Sequence, residues 1–222
     1  MGQIVTFKRP DGADCGGYLA SPAGSNRVPG VVVIQEWWGL NDQIKGVAER
    51  LAALGYRALV PDLFRGKVTL DAAEANHWMS HLNFADAATQ DVRGAAQFLK
   101  QSSAKVGVVG FCMGGALTVL AAMYVPEADT CSSWYGFPPE EAGDVRKIKQ
   151  PLQLHFAEQD GFFTPDAARA LETKLRDGKV PFESHWYSAG HAFFNQSGAN
   201  YNAECAHRAW ERTTDFFAKH LR

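Results

Sequence analysis

The segment VGVVGFCMGGAL, Val106 to Leu117, narrows the choice of folds more than any other stretch of the chain. An unbroken apolar run of strand length fits a strand covered on both faces, and such strands belong to parallel sheets. The run ends in a glycine-crowded turn, and an apolar helix-like stretch follows at once. At the centre of that turn stands Cys112. Buried structural cysteines are common. Yet Gly110-Phe111-Cys112-Met113-Gly114 has the spacing G-x-S-x-G with sulfur in place of oxygen, which keeps bulky groups away from a nucleophile at a sharp strand-to-helix bend. A helix start behind the sulfur would also favour a thiolate. On the glycines alone, nucleophile and structural residue stand level.

The rest of the chain alternates in the same way. IVTFKR and GGYLAS form an opening strand pair around Pro10-Asp11-Gly12. VVVIQ, YRALVPDL, CSSWYG, LQLHFA and PFESHWY read as further strands. Helical spacing predicts helices over residues 43–54, 84–99, 114–124, 165–176 and 203–221. The first of these stops at Gly55. Strands alternating with helices imply an α/β fold, a mostly parallel central sheet with helices on both faces. Sites in such sheets lie at the carboxyl ends of the strands.

With 222 residues the chain can bury one large core, and a single domain spanning 1–222 is expected. A net charge of -2 without clustered Lys and Arg argues against nucleic acid as a partner. No apolar run approaches the ~20 residues of a membrane span. The opening MGQIVTFKRPDGAD lacks the pattern of a signal peptide. Cys15, Cys112, Cys131 and Cys205 are widely spaced with no C-x-x-C pair, which favours free thiols and a cytoplasmic location. His77 and His81 are spaced i, i+4 but lack the glutamate of H-E-x-x-H, so neither a metal nor another cofactor is expected.

A nucleophile needs a base, and the base an orienting acid, in the chain order nucleophile, acid, histidine. In LHFAEQDGFFTP, Asp160 follows a strand and precedes a helix. It reads either as that acid or as a turn residue beside Gly161, with Glu158 a near competitor. In WYSAGHAFF, His191 sits in a loop after the next strand, whereas the other six histidines fall within strands or helices. Glu36, at the end of VVVIQE, is either a surface glutamate or a partner of the cysteine. Trp37, Trp134, Tyr135, Phe162, Phe193 and Phe194 gather around the same strand ends, as pocket wall or as core.

Taken together, QEWWGLN, PDLFRGK, VGVVGFCMGG, AEQDGFFTP and YSAGHAFFN resemble the dienelactone hydrolase family of the α/β-hydrolase superfamily. The resemblance spans nearly the whole chain. It implies a Cys112–His191–Asp160 triad, with Glu36 paired to the cysteine at rest and swinging away when substrate binds. It further implies oxyanion donors in the backbone N–H groups of Trp37 and Met113. Dienelactone hydrolases proper hold a substrate carboxylate with arginines. Here Asn195 stands at one such position, and DAAEANHW offers no arginine at the other, which leaves Arg65 or Lys67 as substitutes. Arg65, Tyr135, Phe193 and Asn195 are the expected substrate contacts.

The resulting expectation is a monomer or weak homodimer that cleaves a carboxylic ester or lactone through an acyl-cysteine. A broad esterase or thioesterase is the alternative within hydrolases. A non-hydrolytic thiol sensor is the alternative outside them, though a sensor has no use for an orienting acid.

Overall fold

The structure, a computed structural model, describes residues 2–24 and 27–222. Its strands are β1 (Gln3–Lys8), β2 (Asp14–Ala20), β3 (Gly30–Ile34), β4 (Arg57–Pro61), β5 (Val106–Phe111), β6 (Thr130–Trp134), β7 (Leu152–Gln159) and β8 (Phe182–Gly190). They form one sheet in the order β1-β2-β4-β3-β5-β6-β7-β8. β1 and β2 pair antiparallel, as do β2 and β4, and every other pairing is parallel.

The helices are α1 (Asp42–Ala53), α2 (Ala72–His81), α3 (Phe84–Asp86), α4 (Arg93–Lys100), α5 (Met113–Tyr124), α6 (Pro165–Asp177) and α7 (Ala203–Leu221). Alternating strand residues serve opposite faces. In β3, Val32 and Ile34 join a core with Leu99 of α4, Leu117 of α5 and Leu171 of α6. Val31 and Val33 join a second core with Leu51 of α1 and Phe217 of α7. Both faces are therefore covered, as the valine-rich run predicts. Among the described residues no helix is long and apolar enough to cross a membrane.

Two elements differ from the sequence reading. The helix expected over 84–99 is interrupted by a π-helical stretch, Ala87–Val92. That wide turn contains Asp91, buried and held by Arg9 at 3.2 Å and Arg65 at 2.8 Å. The last strand, expected to end at Tyr187, continues to Gly190 through its parallel pairing with β7. A register shift between Ala157 and Gln159 lets β7 and β8 finish level, with Gln159 opposite Gly190. The residues that follow, Asp160 and His191, thus emerge as neighbours.

Candidate active site

The parallel strands carry five polar side chains to one edge of the sheet. Glu36 lies just beyond β3, Cys112 just beyond β5, Tyr135 beyond β6, Asp160 beyond β7 and His191 beyond β8.

Cys112 occupies the position before α5 with φ 56° and ψ -117°, and its side chain makes no capping bond to the helix. The thiol is left free for other contacts. Only glycine tolerates the neighbouring approach: a Cβ on Gly110 would collide with the Gly114 carbonyl oxygen, and one on Gly114 would lie 2.5 Å from the Ile34 oxygen. Tyr135 and Ala192 also have positive φ, at 39° and 61°. Such backbone costs ~1–3 kcal/mol per non-glycine residue. Three of the strained residues thus lie in or directly beside this cluster.

His191 joins two of the groups. Its Nδ1 lies 2.8 Å from Asp160 Oδ2 and its Nε2 lies 3.1 Å from Cys112 Sγ. The two readings of Asp160 turn out to be compatible. Oδ1 accepts hydrogen bonds from the amides of Phe162 and Phe163 at 2.8 and 2.9 Å, shaping the loop, while Oδ2 faces the imidazole. Asp160 is buried, and its competitor Glu158 is exposed. The Phe163 ring stacks on His191 at 5.6 Å between centroids, and Tyr135 meets it edge-on at 5.3 Å. Phe163 was not singled out from sequence, although its place three residues after the acid was the available signal.

Glu36 is 3% exposed, which removes the surface reading. Its hydrogen bonds do not go to the thiol. Tyr135 donates to Oε1 at 3.1 Å and Asn195 Nδ2 donates to Oε2 at 2.6 Å. Burial raises the Glu36 pKa, and those two bonds oppose the rise. Burial pushes the Cys112 thiol well up, and the Glu36 charge adds to the rise, against a smaller pull from the Met113 amide. Burial and Glu36 thus favour the protonated thiol, and the helix start opposes them.

The cluster opens into a cavity of about 510 Å³. Glu36, Trp37, Cys112, Met113, His191 and Asn195 line it. Trp37 heads the turn after Glu36, and among the described residues no backbone partner takes up its N–H. Trp38, Met79, Phe84 and Phe137 also reach the cavity and carried no sequence signal of doing so.

Three expected substrate contacts lie elsewhere. Arg65 is not among the lining residues, because its guanidinium donates to both oxygens of Asp91, at 2.8 and 3.0 Å. Lys67, the other substitute, sits over the Trp78 ring at 5.8 Å from its centroid. Tyr135 and Phe193 are buried behind the wall, Tyr135 engaged with Glu36 and Phe193 packed against Tyr187. Asn195 does line the cavity, with its amide committed to Glu36. His77 and His81 lie ring to ring on α2, and His81 Nδ1 bonds the His77 carbonyl at 2.7 Å.

The sequence model of the dienelactone hydrolase family matches residues 15–221. The protein usf of Aquifex pyrophilus is 34% identical over the whole of both chains. The carboxymethylenebutenolidase of Pseudomonas putida is 31% identical, over 96% of this chain and 95% of its own. Among solved structures, a dienelactone hydrolase-like promiscuous phosphotriesterase from metagenomic libraries superposes with a TM-score of 0.85 at 26% identity. That alignment covers 100% of this chain and 99% of the other.

Proposed function

The chain belongs to the dienelactone hydrolase family of carboxylic ester hydrolases, and on that footing we propose that Cys112 cleaves an ester or lactone through an acyl-cysteine, with His191 as base and Asp160 as its orienting acid. The observation that carries this reading is the imidazole bridging Asp160 and Cys112 beside an open cavity.

The electrostatics favour a particular order of events. Burial and the charge of Glu36 both act against a thiolate standing alone, so the sulfur gives up its proton as attack begins. As the sulfur bonds to the substrate carbonyl carbon, its proton passes to His191 Nε2. The imidazolium is then stabilised by Asp160 at Nδ1. The carbonyl oxygen becomes an oxyanion held by the N–H groups of Met113 and Trp37. Losing one such donor costs ~10² to 10³ in turnover. On collapse, the carbon–oxygen bond to the leaving group breaks and His191 returns the proton to that oxygen. A water gives its proton to Nε2 and attacks the thioester, and the departing sulfur recovers a proton from the imidazolium.

Glu36, anchored by Tyr135 and Asn195, serves here to hold the sulfur protonated until attack, because its carboxylate form repels a thiolate. An orienting acid at hydrogen-bond distance favours turnover over a thiol-sensing role. The test is Cys112→Ser assayed with a 4-nitrophenyl ester. Activity is expected to fall by at least ~10³-fold, as for removal of a nucleophile that acts with its base. Near wild-type hydrolysis would overturn the assignment.

A further inference from the structure

We infer that the cavity selects uncharged esters carrying a broad apolar group and rejects esters that bear a carboxylate. This inference rests on the reading of Cys112 as nucleophile and adds the substrate class.

Size sets the first limit. A volume of about 510 Å³ falls within the range of small-molecule sites, of order 300–1,000 Å³, and admits an aryl or medium-chain ester. The wall facing it is aromatic and aliphatic. Trp37 and Trp38 come from the loop after β3, Met79 from α2, Phe84 from α3, and Phe162 and Phe163 from the loop after β7. These surfaces favour burial of an apolar group, at ~25 cal/mol per Å².

Charge sets the second limit. Among the described residues no lysine or arginine lines the cavity. Three cations are engaged elsewhere: Arg65 with Asp91, Lys67 over Trp78, and Arg50 over Trp210 at 4.1 Å. The carboxylates at the site are Glu36 in the wall and Asp160 behind the imidazole. A substrate carboxylate would lose its water, find no counter-charge and stand near two like charges. The side-chain amides of Asn195 and Asn200 are neutral donors that supply no counter-charge, and each gives one N–H elsewhere. Asn195 donates to Glu36, and Asn200 donates to the His191 carbonyl at 3.0 Å.

A matched pair of esters isolates the effect. 4-Nitrophenyl valerate and mono-4-nitrophenyl glutarate share a leaving group and nearly the same acyl length, and differ in a terminal methyl against a carboxylate. The neutral ester is expected to have the higher kcat/KM by about 100-fold or more, the scale of an uncompensated like-charge contact. Arginine on the α2 side of the cavity should narrow that gap. Met79→Arg, and Asn76→Arg at an exposed lining position that tolerates a long side chain, should each raise glutarate turnover by about tenfold. The gain should weaken as salt screens it. Cys112-dependent cleavage of both esters at similar rates would overturn the substrate inference alone. An absence of Cys112-dependent cleavage of either ester would overturn the nucleophile reading and this inference with it.

Discussion

Two histidines, one within β7 and one just past its neighbour β8, use the same imidazole in opposite ways. His155 lies within β7, fully buried. Its Nδ1 meets the Tyr187 hydroxyl at 2.8 Å, and its Nε2 meets Gln153 Oε1 and Thr213 Oγ1, both at 2.9 Å. All its partners are neutral, and burial holds its pKa well below the usual histidine value. His191 lies one residue past β8, between a carboxylate and a thiol, and faces a cavity. Both rings are fully hydrogen-bonded, so bonding alone does not separate them. What separates them is whether a proton has somewhere to go. His155 sits in a buried network whose immediate members are neutral, with Arg212 and Glu183 bonded to its outer members Tyr187 and Gln153, and this network welds β7 and β8 to α7. His191 has a proton source on one side and a charge able to stabilise the imidazolium on the other.

The contrast can be broken most directly by matched substitutions. His191→Gln should lower kcat/KM for an activated aryl ester by at least ~10³-fold with only a small change in unfolding midpoint. His155→Gln should do the reverse, costing about 1–3 kcal/mol in chemical denaturation while the folded enzyme keeps its turnover. If His155→Gln abolished activity in a fully folded protein, the division between the two residues would fail.

A smaller effect sharpens the same contrast through pH. A histidine whose folded pKa is depressed supports folding above its unfolded pKa of ~6.5, and that support is lost as pH falls below it. The wild type should therefore lose stability on acidification, and His155→Gln should flatten that loss. Denaturation midpoints between neutral pH and mild acid measure it, and parallel curves would count against the buried-neutral assignment.

The smallest effect concerns the sulfur. Because the Glu36 charge helps to raise the Cys112 thiol, Glu36→Gln should move the pH profile of Cys112 alkylation by iodoacetamide to lower pH. An unchanged or upward-shifted profile would remove Glu36 from control of the thiol.

Much of this architecture was legible in the chain itself. The valine runs of β3 and β5, and the glycines at 110 and 114, encode local facts of strand burial and close backbone approach. The order 112, 160, 191 follows from which loops leave the carboxyl ends of parallel strands. What stayed hidden depends on partners far apart in sequence. Nothing local tells that Tyr135 and Asn195 converge on Glu36, 99 and 159 residues distant. Arg65 looked free beside a loop because its partner, Asp91, is turned inward by a π-helical stretch that helical periodicity does not reveal. Phe193, expected to contact substrate, belongs instead to the core because it packs against Tyr187 and Trp134.

The most direct test of the central claim is rapid quenching of the enzyme with excess 4-nitrophenyl valerate, followed by mass spectrometry of the intact protein and its peptides. The account predicts a transient valeryl adduct on the peptide containing Cys112, decaying at the rate of turnover and absent in Cys112→Ser. Steady hydrolysis with no acyl adduct at any time, or an adduct confined to another residue, would contradict it.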